Sequence, residues 1–268
     1  MLYTCSGIEA YFRGQSSGMK CRRRVYAAVV VAAAFSFCCV LLPIGPACAN
    51  EDDDVRTILF SGRDIWRNGA FAYGGFLFTP GSLNEDGFLL KVLLSGGWYR
   101  YLAQNLGGSR VDGIEGLAQI LPGWRIKRGN AEIKFFMGPE IQEHHLWPDD
   151  PANRLRGRSF GLRVGAEVWY EPTIKTMIAG DASLSSIATS NSARVAYGWR
   201  VFEEMLGGIY VGPEIQYFGS DGYRHLRLGA HVTSLKADDT EWSIGIGWAR
   251  DSERRSSPYL RLSILRRQ

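Results

Sequence analysis

The sequence predicts an all-β protein: an antiparallel, up-and-down outer-membrane β-barrel of about 12 strands, preceded by a signal peptide. Three observations predict it. Apolar and polar residues alternate with period two along most of the chain after residue 55, and no segment there keeps a helical period. Turn residues cut that stretch into strand-sized pieces. A leader of positive, then apolar, then small residues directs the chain out of the cytoplasm.

The leader comes first. Lys20, Arg22, Arg23 and Arg24 precede an apolar run over 25–42; Pro43, Gly45 and Pro46 end it, and Ala47 and Ala49 flank Cys48. That order predicts a signal peptide over residues 1–49, cut after Ala49, with Met19 as a candidate start. The alternative is an uncleaved anchor, because ~18 apolar residues just reach across a bilayer. Residues 50–56 read as an acidic tether and 57–268 as the barrel domain.

All five cysteines lie within the leader. The mature chain therefore has no disulfide scaffold, zinc–thiolate site, cysteine nucleophile or iron–sulfur cluster. Beyond residue 49 the chain holds 26 basic and 26 acidic residues, so no basic excess points to nucleic acid. No cofactor and no metal is expected.

The strands follow. Over 131–142, Ala131, Ile133, Phe135, Met137, Pro139 and Ile141 share one face; Glu132, Lys134, Phe136, Gly138, Glu140 and Gln142 share the other. From Phe160, apolar Leu162, Val164, Ala166 and Val168 oppose Arg163, Gly165 and Glu167. From Leu226, Leu228, Ala230 and Val232 oppose Arg227, Gly229 and His231, and from Trp242, Ile244, Ile246 and Trp248 oppose Ser243, Gly245 and Gly247. Eleven turn signals separate the runs, at 67–69, 80–87, 107–109, 128–130, 144–153, 171–172, 190–191, 207–208, 220–222, 237–239 and 252–258. Eleven turns make twelve strands, enough length for each to cross a bilayer at a tilt. An even count places both termini on the periplasmic side and the longest connection, 144–157, outside.

Gly138-Pro139-Glu140-Ile141-Gln142 recurs as Gly212-Pro213-Glu214-Ile215-Gln216, and Leu162-Arg163-Val164-Gly165-Ala166 returns as Leu226-Arg227-Leu228-Gly229-Ala230. A proline twice at one strand position predicts a repeated bend or bulge.

Alternation alone leaves open which face meets water; a soluble exported barrel would turn its apolar face inward. Twelve strands enclose too wide a centre for apolar side chains to fill, which favours lipid outside. Aromatics near strand ends (Trp66, Trp98, Tyr99, Tyr101, Trp124, Tyr170, Tyr197, Trp199, Tyr223, Trp242, Trp248 and Tyr259) suggest interfacial girdles. The polar face carries both signs: Glu132, Lys134, Glu140, Arg163, Glu167, Asp181, Arg194, Arg200, Glu214 and Arg227, with His231. Enclosed together, they would form a neutralising polar network in the lumen.

Glu140 and Glu214 are the sharpest candidates for chemistry. They are either a carboxylate pair for sugar hydroxyls or ion-pair partners of Arg163 and Arg227. His144-His145 with Asp149-Asp150 make a poor metal site, since neighbours on a strand point apart. Trp147 offers a ring for stacking on a glycan. Beyond residue 49 there is no Gly-x-Ser-x-Gly, no phosphate-binding glycine loop and no His-Glu-x-x-His.

Several segments together resemble one family. They are Leu59-Phe60-Ser61-Gly62-Arg63-Asp64; Asp86-Gly87 leading to Gly97-Trp98-Tyr99-Arg100-Tyr101; Pro122-Gly123-Trp124; the doubled Gly-Pro-Glu; and Tyr223-Arg224 leading to Gly229-Ala230-His231. Across 57–265 the chain resembles the BcsS family of cellulose biosynthesis proteins. The resemblance implies an accessory role in making cellulose or a related exopolysaccharide, and names a pathway without a mechanism. The expected function is a non-enzymatic outer-membrane barrel that assists secretion or anchoring. Its expected partners are outer-membrane lipid, cellulose or a related glucan, and the synthesis and export machinery. The alternatives are a small lipid- or glycan-modifying enzyme and a generic small porin.

Overall fold

The structure, a computed structural model, describes residues 55–202, 208–220, 223–237 and 239–268. The leader, its cleavage site, the cysteines and residues 50–54 of the tether lie outside the described residues.

Twelve strands close into one antiparallel barrel. They are β1 (Thr57–Trp66), β2 (Gly69–Phe78), β3 (Gly87–Ala103), β4 (Ser109–Arg128), β5 (Ala131–Trp147) and β6 (Gly157–Thr173). Then come β7 (Thr176–Ser185), β8 (Asn191–Val201), β9 (Ile209–Ser220), β10 (Tyr223–Ala237), β11 (Thr240–Asp251) and β12 (Ser256–Arg267). Each pairs with its chain neighbours, and β12 returns to β1, with Ile58 opposite Arg267 and Trp66 opposite Tyr259. The Thr57 and Gln268 amides bond each other's carbonyls at 2.8 Å, so both chain ends meet at one mouth. Closure leaves no sheet edge unpaired.

The alternation sorts the side chains as expected. Phe160 (76% exposed), Leu162 and Val164 point outward, and Arg163 between them points in. A row of that kind faces lipid in a membrane barrel. Arg63, exposed on the outward face of β1, interrupts the apolar surface close to the β1–β2 tip, within snorkelling reach of an interface.

Three expectations need correction. The first concerns turns. β5 runs on through Trp147, the β6–β7 turn is 174–175 rather than 171–172, the β7–β8 link is 186–190, and Pro258 lies inside β12. Beyond the lipid the outward face turns polar, so Glu143 and His145 hid the continuing strand. At Glu171-Pro172 the register shifts, so the proline is taken up as an irregularity within the hairpin.

The second concerns the paired prolines. Pro139 lies opposite Leu162 and Pro213 opposite Ala230, and register runs unbroken through both; no residue is inserted. The ladder opens instead on the other side, where 137–139 of β5 have no partners in β4 and 212–213 have none in β8. A Cβ on Gly138 would strike the Ile120 carbonyl, and one on Gly212 the Tyr197 carbonyl. Each Gly-Pro thus joins a close backbone approach to a missing donor, a bend without a bulge.

The third concerns the interior. It is ionic only in part. Near the terminal mouth, Leu77, Leu89, Leu121 and Phe136 form a buried apolar cluster with Ile58 and Phe60 against it. Met177, Ala179 and Tyr210 form another with Trp169. Nor are all the aromatics girdle residues: Trp124, Tyr170, Trp199 and Trp248 are exposed outward. Trp66, Tyr99, Tyr101, Tyr223 and Tyr259 share the parity of the luminal ions and turn inward.

Candidate functional site: the barrel lumen

A cavity of about 1870 Å³ occupies the lumen. Its walls include Leu83, Asn84 and Lys127 at the terminal mouth and Asn105, Asp150 and Asn153 at the far mouth.

The terminal mouth is narrowed by residues 79–86. Arg125, buried, donates Nε to the Glu85 carbonyl at 2.8 Å and Nη2 to the Ser82 carbonyl at 2.6 Å. Asp86 is held below its usual range by the Lys127 amide and then by the Arg128 guanidinium. Above this turn, Lys91 pairs with Glu167 at 2.5 Å, and Lys134 with Glu132 at 2.7 Å and Glu167 at 3.8 Å. The Lys91 ammonium also lies 5.2 Å from the Phe136 ring centre, so the charge rests on the apolar cluster.

Higher up stand two buried carboxylates. Glu140 accepts from Arg163 Nε at 2.7 Å, Gln119 Nε2 at 3.2 Å and the Ser185 hydroxyl. Glu214 accepts from Arg261 at 2.7 Å, Arg194 at 3.0 Å, Tyr259 at 2.9 Å and Gln216 at 2.8 Å. Each is fully wrapped by donors, and neither lines the cavity. They are not a pair presented to sugar hydroxyls.

Arg227 does not meet Glu214 either. It donates to both oxygens of Asp64 at 2.8 and 2.6 Å, with its guanidinium over the rings of Trp66 and Tyr259. Register explains the switch. Gly138 faces Arg163, but the equivalent Gly212 faces His231, and Arg227 stands opposite Gln216. The β9–β10 turn is shorter than the β5–β6 loop, so the repeated motifs slide past one another. His231, buried, uses Nδ1 on Thr233 at 2.9 Å and Nε2 on the Tyr197 carbonyl at 3.1 Å.

The far mouth is capped by residues 148–156. Buried Asp150 accepts from Tyr101 at 2.7 Å and Asn105 at 2.8 Å, and Asn153 donates to the Tyr101 hydroxyl at 2.8 Å. Burial alone would raise the Asp150 carboxyl, but these bonds and the Ala152 amide outweigh it and hold it below its usual range. His144 turns inward to Tyr99 at 3.0 Å, while His145 turns outward to Glu143 at 3.3 Å. Among the described residues no three metal-type ligands converge. Trp147 lies outside the lumen, 63% exposed at the outward edge of β5.

Sequence reasoning missed Asp64, Lys91, Gln119, Arg261 and a row of luminal rings. Lys91 hides in the apolar stretch from Phe88 to Leu94, and Arg261 on β12 meets Glu214 on β9 from three strands away. The signal for the rings is their parity with Asp64 and Lys91, which outweighs their position near strand ends.

A family model described as cellulose biosynthesis protein BcsS matches residues 58–268. No curated relative matches the sequence. Among solved structures, an outer membrane channel from Pseudomonas putida F1 is similar at TM-score 0.52 and 10% identity, covering 84% of this chain and 100% of that one. The translocator domain of the autotransporter NalP from Neisseria meningitidis is similar at TM-score 0.50 and 9% identity, covering 94% and 100%. At such identity these likenesses establish the outer-membrane barrel fold and nothing finer.

Proposed function

Because the chain belongs to the family of cellulose biosynthesis protein BcsS, we propose that it is a non-enzymatic outer-membrane accessory barrel that assists secretion or anchoring of cellulose or a related exopolysaccharide. The observation that carries this reading is coextension: the family match over 58–268 takes in all of the barrel but Thr57, the first residue of β1, and leaves no further described domain for another task. The outward apolar rows suit outer-membrane lipid. Residues 1–49 deliver the chain across the inner membrane. The termini then face the periplasm, and the 148–156 loop faces outside. Partners are the glucan and the machinery that makes and exports it.

The non-enzymatic part draws support from commitment of the reactive groups. Glu140 and Glu214 are saturated with donors, and both ring nitrogens of His231 are engaged. A chromosomal deletion tests the role. Extracellular cellulose should change in amount or texture and recover on complementation; unchanged cellulose refutes the role. Fractionation with a heat-modifiability gel tests the location: a heat-shifted band should appear in the outer membrane.

A further inference from the structure

We infer that the far half of the lumen holds a stacking track for an uncharged β-linked glucan chain, whose open faces are Tyr101, Tyr99 and Phe71 and whose arc continues through Trp66, His225 and Tyr223. Only the identity of the sugar rests on the preceding reading; the track rests on the rings.

The six rings come from four strands and form one unbroken arc. Successive centres lie 6.2, 6.5, 5.5, 5.3 and 6.3 Å apart from Tyr101 to Tyr223. The four from Tyr101 to Trp66 are nearly parallel, with interplanar angles of 21°, 13° and 5°. Small residues make room beneath them: a Cβ on Gly97 would strike Phe71, and one on Gly113 would strike Tyr99. All six rings line the cavity. Tyr101, Tyr99 and Phe71 offer repeated flat apolar faces to the cavity; beyond them the Trp66 ring lies between Gly69 and the Arg227 guanidinium and His225 is buried, so these two continue the arc within the wall. The axial C–H faces of equatorially linked pyranose units present the same kind of surface at a comparable repeat.

Flanking chemistry selects a neutral chain. Arg227 and Asp64 are already neutralised by one another, and Asp150 is already bonded to Tyr101 and Asn105. An anionic polysaccharide would need an uncommitted cation beside the rings, and these neighbours supply none. Hydroxyl groups need acceptors instead. Glu115 lines the cavity opposite Gly97 and His144, and makes no hydrogen bond or ion pair with any described residue. It stands beside the track as an open acceptor for sugar hydroxyls.

The test uses the full mature barrel in a non-sugar detergent, with cellohexaose, maltohexaose and an oligogalacturonate as probes. Calorimetry should detect cellohexaose binding and weaker or no binding of the other two. Tyr99→Leu and Phe71→Leu should each weaken it roughly 3- to 10-fold, and outward Trp124→Leu should leave it unchanged. Hydroxyl-radical footprinting of the wild-type barrel avoids any folding defect. Cellohexaose should protect Phe71, Tyr99 and Tyr101, and should not protect Trp124 or Trp199. No cellohexaose binding, or binding without protection of the luminal rings, overturns the track. If the deletion strain has altered cellulose and the barrel binds no oligosaccharide, the track fails while the accessory role stands. If oligogalacturonate binds best, the neutral-chain assignment is wrong.

Discussion

At the scale of single residues, the lumen is organised by where each charge finds its complement. Glu140 sits fully inaccessible beneath Arg163. Truncating it leaves a cation without its partner in the wall, so Glu140→Ala should cost about 3–5 kcal/mol. Replacing both partners, Glu140→Leu with Arg163→Met, should recover most of that loss. Urea unfolding in detergent micelles measures both. Asp150 makes a prediction of a different kind. Its folded pKa lies below the unfolded value, so the contact is at full strength above about pH 4 and fails as pH falls through the lowered value. Hydrogen exchange of residues 148–156 should therefore accelerate in acid. Asp150→Asn should show fast exchange already at neutral pH, with little further dependence. Persistent protection of the wild-type loop below the carboxylate range would exclude Asp150 as the latch. Asp149 is paired separately with Arg156 at 2.6 Å and supplies a second, exposed acid-sensitive contact, so the comparison with Asp150→Asn is what isolates the latch.

At the scale of elements, the doubled Gly-Pro-Glu shows what a strand sequence specifies and what it leaves to its neighbours. Alternation identified the strands and the inward course of Glu132, Lys134, Glu140, Glu167 and Glu214, because side-chain parity is a property of one strand. Arg163 and Glu140 lie on adjoining strands, so that ion pair was legible. The partners of Glu214 were not. Arg194 and Arg261 reach it from β8 and β12, and Arg227 moves away because loop length sets register. The motif itself makes a test. At Gly212 the Tyr197 carbonyl occupies the place of a Cβ, so Gly212→Ala should lower the folded fraction seen on a heat-modifiability gel. Pro213→Ala only restores a donor where the β8 ladder is open, and should leave that fraction within error. Equal loss in both variants would mean that the glycine's close approach is not what the motif protects.

At the scale of the whole molecule, two surfaces are opposed: an outer one of apolar rows and an inner one of ion pairs and rings around a cavity. The outer surface predicts that Leu228→Arg, on an outward position 57% exposed, costs ~2–4 kcal/mol if it lies near the bilayer midplane. Leu228→Val should be nearly silent. The inner surface predicts a current. The luminal charges leave a path between them: Glu140 and Glu214 are withdrawn from the cavity lining, and Arg163 and Arg261, which stay on it, fold back onto them. What narrows the path is loop chemistry at each end. Residues 79–86 are pinned by Arg125, and residues 148–156 by Asp150. In planar bilayers the wild-type barrel should therefore pass a small, steady ion current. Replacing 148–156 with a two-residue Asn-Gly turn should enlarge it, since that removes the cap and leaves the twelve-strand wall intact. Arg125→Ala should act at the opposite mouth, and combining the two changes should raise the current above either alone if the two constrictions lie in series. Silence from all four proteins, with the heat shift of a folded barrel retained, would mean that the cavity does not connect the two mouths, and the barrel would then serve as an anchor alone.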